Sequence, residues 1–511
     1  MAITGRLIEI YLRKIKGLNL PRDLIKYAVK RNSCKTAVVD GGRELTYKEL
    51  YERANKLANA LLGMGIGKGD KLALLIYNCR EYFEVRIATY LTGIVLVPIV
   101  WDMAPEDIIF ILNDCEIKAL AYHPEILGGN IERVKRETRV KEFIEIGIEY
   151  EKLLSKNAPI EPKIKIKEDD LASINFSSGT TGRPKGVSLS QKSWANSFYN
   201  YALNSSRAWQ RALVFLHVLS FATAGSTVFL MLFFVGATSV ILRKFNPEEA
   251  LSLIVRNGVN ATFITPSIFI DILDYCKKNA LKLPLYGIAI GTEPMPQAKF
   301  KEGVEFFGPI IQTGYGMVEA LPPLSLLCSH DYIRDGKLDE ALLLSAGKAL
   351  RGVGLKITDE SGKVLPAGKT GRIAVKSNTV SLKYWNNPDL TRMHYKGGWF
   401  YTNDYGYIDG NGYLYVSGRS DNILFAREIE ETLHGHPAIL RCCAFKKYEK
   451  IITCVSLKSG SGDVSSEGLI KFCESRLKKG TVPNVINVNP ELPINASGKL
   501  DRKKISKNFS L

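Results

Sequence analysis

Apolar positions along the chain alternate between a helical and a strand-like period. "TAVVDGGRELTY" alternates around a Gly-Gly pair, which predicts a hairpin. "TYKELYERANKLANALLGMG" follows with helix periodicity, Thr46 as its cap and Gly65 just past its end. "KLALLIYN" and "IVLVPIV" are short, wholly apolar runs suited to parallel strands buried on both faces. "PEDIIFILNDC" and "KALAYH" continue the helix-then-strand order, and "ATFITP", "YGIAIG" and "PIIQTGYG" are further strand-then-turn units. This alternation predicts α/β architecture with parallel strands. Ligands of such sheets gather at the carboxyl ends of the strands.

From about Leu355 the texture changes. "LKITDESGKVLPAGKTGRIAVKS" and "YGYIDGNGYLYVSGR" predict a small β-rich unit with Gly, Asp and Asn turns. After Arg419 a compact α+β segment follows, with a loop predicted over residues 459–468. The most apolar run, Gly225 to Leu242, contains a Gly-Ala break and then β-branched residues. It reads as buried helix, turn and buried strand, short of a membrane span. The opening "GRLIEIYLRKIKGLNLPRDLIKYAVKR" is basic and amphipathic. Two readings fit it: a first helix packed on the main domain, or a helix in peripheral contact with a membrane surface.

At 511 residues the chain exceeds one compact core, so two or more domains are expected. A net charge of +17 points to an anionic partner. The cations are spread along the chain rather than gathered, which argues against nucleic acid. Nine Cys without metal spacing suit free thiols in a reducing cytoplasm, and no signal peptide is evident.

The chemistry is densest in "INFSSGTTGRPKG", residues 174–186. It fails the Walker pattern, because Gly179 and Gly182 are too close together and Pro184 precedes Lys185. The flanks "LASINF" and "GVSLS" both alternate like strands, so a strand–loop–strand hairpin is expected. Its freed backbone N–H groups can face phosphate oxygens, with Ser177, Ser178, Thr180 and Thr181 adding hydroxyls and Lys185 a charge.

Four more stretches follow in order: "GTEPMP" from Gly291, "QTGYGMVEA" from Gln312, "GWFYTNDYGYIDGNGYLYVSGRSD" from Gly398 and "LPINASGKLDRKKI" from Leu492. With the first stretch, they resemble the adenylate-forming superfamily over about Lys35 to Ile505. That superfamily includes acyl-CoA synthetases, aryl-acid ligases, peptide-synthetase adenylation domains and luciferases. The resemblance implies an α/β fold. A large N-terminal domain (1–418) of α/β sheets plus the small β-rich unit precedes a small mobile α+β domain (419–511). It also implies a two-step reaction: a carboxylate and ATP give an acyl-adenylate, then a thiol of CoA or phosphopantetheine displaces AMP.

The resemblance assigns roles by position. Ser177, Ser178, Gly179, Thr180, Thr181, Gly182 and Lys185 would cradle the phosphates. Gly291, Thr292, Glu293 and Pro294, with Gly314, Tyr315, Gly316 and Val318, would line the nucleotide site, Tyr315 stacking on adenine. Glu319, in the Tyr-Gly turn, would hold Mg²⁺ together with Thr181. Asp404 would accept the ribose hydroxyls and Arg419 would pair with ribose or phosphate. Lys499 would be the mobile lysine of the adenylation step, and Asp421 the hinge.

Some positions depart from the family pattern. Val318 stands where a hydroxyl residue is usual, Gln191 replaces a His, and Asn403 replaces a Gly. "GRSDNILFAREIEETL" runs almost directly into a helix, without the Gly-containing hairpin that serves the thiol step in relatives. Adenylation is therefore expected to survive better than thioester formation. In the acid-pocket segment "VLSFATAGS", Ala222 replaces the Asp that binds an α-ammonium group, and His217 is offset from the usual gate. A fatty or other uncharged acid is expected, with CoA or an acidic acyl carrier protein as acceptor. An amino-acid adenylation domain and a degenerate member that binds nucleotide or acyl ligand without turnover are the alternatives.

Overall fold

The computed structural model describes residues 13, 16–177, 183–204, 213–419, 421–447, 449–458, 460–462, 464–478 and 480–509. The hairpin of β1 (Thr36–Asp40) and β2 (Arg43–Thr46) turns on Gly41 and Gly42, at φ of 55° and 83°, where a side chain would be strained. The helix Tyr47–Gly63 follows at once, its first turn closed by Thr46 and Glu49 in a reciprocal capping box.

Six strands then build one sheet: β3 (Lys71–Leu75), β4 (Val95–Pro98), β5 (Ala119–Tyr122), β6 (Glu142–Glu145), β7 (Leu171–Ser177) and β8 (Lys185–Ser190). Their order is β8-β7-β4-β3-β5-β6, with Lys383–Tyr384 added on the β8 edge. The pairings from β7 through β6 are parallel, and β8 pairs antiparallel with β7. Strands β9 (Val214–His217), β10 (Thr238–Ile241), β11 (Ala261–Ile264), β12 (Gly287–Ile290), β13 (Ile311–Met317) and β14 (Ala320–Leu327) join β1 and β2 in a second sheet. Its order is β14-β13-β12-β11-β9-β10-β1-β2, parallel from β1 to β13, with Lys348–Ala349 added on the β14 edge.

The largest core cluster joins inward residues of both sheets, such as Leu72, Leu96, Val187, Phe215 and Ile241, to the helices between them. One of these helices, Arg80–Thr92, is buried at every residue from Glu81 to Thr92. Its Glu84 is held by Arg53 and by the Tyr150 hydroxyl, each at 2.7 Å. Its Arg86 lies 3.9 Å from the Trp194 ring centre, a cation–π contact inside the core. Separate clusters cover the outer face of each sheet, giving five layers of helix and sheet.

The run Gly225–Leu242 forms the short helix Phe229–Val235, a left-handed Gly236 (φ 77°) and strand β10, as its pattern predicts. Among the described residues no helix is long and apolar enough to cross a membrane. The helix Pro21–Asn32 buries Pro21, Leu24, Ile25 and Ala28, while residues 1–12, 14 and 15 of the basic amphipathic opening lie outside the described residues. All nine cysteines are free thiols; Cys34 is exposed and the other eight are buried.

A five-stranded antiparallel unit follows the large sheets, built on Gly354–Thr358, Gly371–Lys376, Trp399–Ile408 and Leu414–Gly418, with Tyr395–Lys396 at one edge. The C-terminal part is a small α+β domain with its own cores: Ile439–Lys447 and Lys450–Leu457 antiparallel, Val485–Asn489 parallel, and helices Asp421–His434, Ser466–Glu474 and Arg502–Asn508. The loop expected over 459–468 ends earlier, because Ser465 caps a helix that begins at Ser466. Strand Leu414–Gly418 leads almost directly into helix Asp421–His434, as the compressed sequence predicts.

Candidate functional site

The phosphate-type stretch closes the β7–β8 hairpin, with Ser177 paired to Lys185 across its mouth. The two flanks are therefore paired antiparallel strands, as expected. Ser178, Gly179, Thr180, Thr181 and Gly182 lie outside the described residues. Lys185 begins β8, half-buried, within electrostatic reach of His394.

Gly291, Thr292, Glu293 and Pro294 follow the carboxyl end of β12, where an open parallel sheet binds ligands. Thr292 is left-handed at φ 75°, a strained conformation for a β-branched residue. Its hydroxyl is buried with no hydrogen-bond partner among the described residues.

The Tyr-Gly motif differs from its expected form. Tyr315 and Gly316 lie within strand β13, and the turn consists of Val318 and Glu319 between Met317 and Ala320. Glycine is required on this strand: a Cβ on Gly314 would sit 2.4 Å from the Ser325 carbonyl oxygen, and one on Gly316 2.4 Å from Pro322. The close pairing of β13 and β14 carries the strand past Tyr315 and moves the turn outward.

Tyr315 is buried, and its hydroxyl donates to Oδ2 of Asp404 at 2.7 Å. Asp404 lies on Trp399–Ile408, where the Thr402 hydroxyl accepts its backbone N–H at 3.0 Å. Arg419, just past Leu414–Gly418, donates through Nε to the other Asp404 oxygen at 3.0 Å. Burial, reinforced by the adjacent Asp404 carboxylate, pushes the Tyr315 phenol well up.

Glu319 accepts the Tyr384 hydroxyl at 2.9 Å, and its backbone carbonyl accepts the Ser381 N–H at 2.8 Å. Burial and the Glu319 charge push the Tyr384 phenol up. Among the described residues no three His, Cys, Asp or Glu side chains cluster as a metal cage. A lone hard carboxylate such as Glu319 suits Mg²⁺, which keeps most of its waters and uses few protein ligands.

Lys499 enters from the small domain, half-buried. Burial lowers its pKa; the Glu293 carboxylate opposes that shift, Arg419 adds to it, and Asp404 opposes it. Burial raises the Glu293 carboxyl, with Lys499 as the leading opposing charge. The sequence-predicted Glu293, Asp404, Arg419 and Lys499 thus share one electrostatic neighbourhood. Asp421, the first residue of its helix, lies near Arg419 in sequence.

The segment "VLSFATAGS", expected to line the acid pocket, runs between β9 and the helix Phe229–Val235. Asn78, beyond the end of β3, fastens it across the two sheets. Its Nδ2 donates to the carbonyls of Leu219 (3.0 Å) and Leu242 (3.3 Å), and its Oδ1 accepts the Phe221 N–H (2.9 Å). Ala222 is half-buried, and Phe221 packs on Tyr82 and Phe83. His217 bonds Ser239 at 3.0 Å, and burial pushes it down to about 3, so it is neutral at physiological pH.

Sequence reasoning missed Tyr384, Asn78, Thr265 and Asp102. The Asp102 carboxylate accepts the Ala496 N–H at 2.7 Å, and the Thr265 hydroxyl donates to the Gly498 carbonyl, so both touch the Lys499 loop. Thr265 was legible only as a helix cap before Pro266. The others carry no local signal, because their partners are distant in sequence. Gln191 is the first residue of helix Gln191–Asn204, buried, and both its amide atoms lack a partner among the described residues.

The model of the AMP-binding enzyme family matches residues 25–385, and that of the AMP-binding enzyme C-terminal domain matches residues 428–499. A putative acyl–CoA ligase, YdaB of Bacillus subtilis, is 29% identical over 494 residues, covering 92% of this chain and 95% of its own. The 2-succinylbenzoate–CoA ligase of Bacillus cytotoxicus is 28% identical, covering 92% and 95%. The solved anthranilate CoA ligase AuaEII, in complex with anthranoyl-AMP, superposes with a TM-score of 0.86 at 26% identity, covering 96% of each chain.

Proposed function

The chain belongs to the family of AMP-binding enzymes, and we propose that it is an acid–thiol ligase that activates an uncharged carboxylic acid with ATP and passes it to coenzyme A. In the first step a carboxylate oxygen attacks the α-phosphorus and the bond to pyrophosphate breaks, leaving an acyl-adenylate. In the second a thiol attacks the acyl carbon and AMP leaves. The observation that carries this reading is the shared electrostatic neighbourhood of Lys499, Glu293, Asp404 and Arg419, two cations and two carboxylates. The relatives' names, both CoA ligases, support the choice of acceptor.

The residues suit the chemistry of bringing two anions together and neutralising charge. Lys185 and the hairpin loop from Ser177 to Gly182 would hold the pyrophosphate end. Tyr315 would face adenine, beside the backbone of Gly291, Thr292, Glu293, Pro294, Gly314, Gly316 and Val318. Asp404 would accept ribose hydroxyls with Arg419 alongside. Lys499, its pKa lowered by burial but opposed by Glu293, would deliver positive charge to the carboxylate and α-phosphate. Glu319, with Thr181, would hold Mg²⁺, which supplies charge neutralisation on the phosphates. We place the division between the domains at 418/419, with Asp421 at the hinge.

The acid is proposed to be fatty or otherwise uncharged. Ala222 offers no carboxylate for an α-ammonium group, and His217 and Phe221 make the adjoining wall neutral and apolar. The test is ATP–pyrophosphate exchange over a panel of aliphatic acids, aryl acids and hydrophobic amino acids. Exchange with uncharged acids, lost in Lys499→Ala, is expected. Exchange confined to amino acids would replace the substrate class, and no exchange with any acid would leave a nucleotide-binding protein.

A further inference from the structure

Lys499 sits at the end of a tight loop that builds its own shape. Asn495 Oδ1 accepts the backbone N–H groups of Ser497 (2.9 Å) and Lys499 (3.2 Å), and the Asn495 N–H donates to the Lys499 carbonyl (2.8 Å). The tip is gripped by the large domain through Asp102 and Thr265. Gly498 permits that approach: at φ 77°, a Cβ would lie 2.6 Å from Cδ1 of Ile268.

The root of the loop is gripped as well, by a residue the family motifs do not include. Arg441 stands on strand Ile439–Lys447 and is 4% exposed. Its Nη1 donates to the carbonyl of Leu492, where the Lys499 segment begins, at 3.2 Å. Its Nη2 forms an ion pair with Asp271 and reaches the Ser267 carbonyl at 3.5 Å, both on helix Pro266–Lys278 of the large domain. The first turns of that one helix, with the Thr265 cap, therefore hold the segment at both ends.

We propose that Arg441 is the positioning residue for Lys499: by bonding at once to Asp271 of the large domain and to the root of the Lys499 segment, it locks that segment into the acid-activation site. This rests on the ligase reading above, in which the second half-reaction requires the small domain to withdraw. Arg441 acts through the loop, its partners being Leu492, Ser267 and Asp271. A buried ion pair is a sound device for such a choice, since either charge left alone in a dry interface is costly. The pair is also sensitive to acid. Asp271 faces Arg441 from the strand, Glu491 from the Lys499 segment and Asp274 from its own helix, and burial pushes its carboxyl up to about 6. Below that pH the carboxyl is neutral and the interdomain charge pair is lost.

The test compares full-length wild type with Arg441→Gln, the near-isosteric Asp271→Asn, and Arg441→Lys. Three readouts are taken: pyrophosphate exchange, CoA thioester formation from a preformed acyl-adenylate, and the rate of tryptic cleavage after Lys499 by mass spectrometry. In Arg441→Gln and Asp271→Asn, exchange is expected to fall on the order of tenfold, with thioester formation changing by less than about twofold. Cleavage after Lys499 should accelerate, and Arg441→Lys should restore part of the exchange. The wild-type fall in exchange below about pH 6 should flatten in Asp271→Asn. Unchanged exchange and cleavage, or an equal loss in both half-reactions, overturns the proposal. A wild type that exchanges with no acid, while the variants still expose Lys499 to trypsin, overturns the ligase reading and leaves the docking role standing.

Discussion

The Tyr315 hydroxyl lies 2.7 Å from Oδ2 of Asp404, so an aromatic and a carboxylate from two different sheets form one rigid unit. Strand β13 brings Tyr315 from the large parallel sheet, and Trp399–Ile408 brings Asp404 from the small antiparallel one. Arg419 completes the unit from the end of the next strand. Three side chains thus join the sheets here, beside the backbone bonds that Ala346 and Gly347 make with Leu414.

Tyr315→Phe keeps the ring and removes only this bond. A hydrogen bond to a charged acceptor contributes about 1.5–3 kcal/mol. The KM for ATP should rise on the order of tenfold, with the KM for the acid little changed. Steady-state kinetics with each substrate varied in turn would show it; an unchanged KM for ATP refutes the role of the pair.

Gly498→Ala strains a left-handed backbone and drives a methyl group against Ile268. The Lys499 loop must then lift from the large domain. Pyrophosphate exchange should fall on the order of a hundredfold, while thermal stability of the large domain is unaffected because the change lies outside its core. Calorimetry alongside the exchange assay separates the two.

Asn78→Ala removes all three bonds that fix the proposed acid-pocket segment to the sheets. The KM for the acid should rise more than the KM for ATP. Equal effects on both substrates would mean that Asn78 supports the fold and not the pocket.

The compressed path from Gly418 to helix Asp421–His434 leaves no room for an intervening hairpin. Thioester formation should therefore be slower than adenylation, with acyl-adenylate accumulating in single-turnover experiments. Rapid quench with radiolabelled acid and CoA tests this; thioester appearing without a lag or adenylate burst contradicts it.

Acid should destabilise the protein through two buried histidines. His217 and His434 are each pushed by burial down to about 3. The unfolded chain protonates them near pH 6.5, so it binds the extra protons as pH falls from there toward 3. Stability is lost across that window, at up to about 1.4 kcal/mol per pH unit for each histidine. Asp271, raised to about 6, opposes the slope in its upper part, because its folded form takes up a proton first. His217→Gln should show a shallower fall in melting temperature between pH 6.5 and 4.5 than wild type.

Much of this was legible in the chain. The Gly41–Gly42 hairpin, the Thr46 cap, the β7–β8 hairpin and the helix–turn–strand reading of Gly225–Leu242 all follow from local spacing, and the structure has them. The Tyr-Gly turn was misread because strand pairing, a long-range matter, decides where β13 ends. The end of the 459–468 loop was misread because a Ser-rich stretch serves equally as loop and as cap. Asn78, Asp102, Asp271 and Arg441 stayed hidden for another reason. Each acts through partners far along the chain, and nothing in its own neighbourhood marks it.

The thiol inventory makes the protein unusually convenient to label. Eight cysteines are buried and Cys34 alone faces solvent, at the end of the first described helix of the large domain. A maleimide dye should therefore attach at one place without any prior mutagenesis. A second fluorophore on an engineered cysteine in the small domain would then turn the proposed movement of Lys499 into a distance that can be followed one molecule at a time.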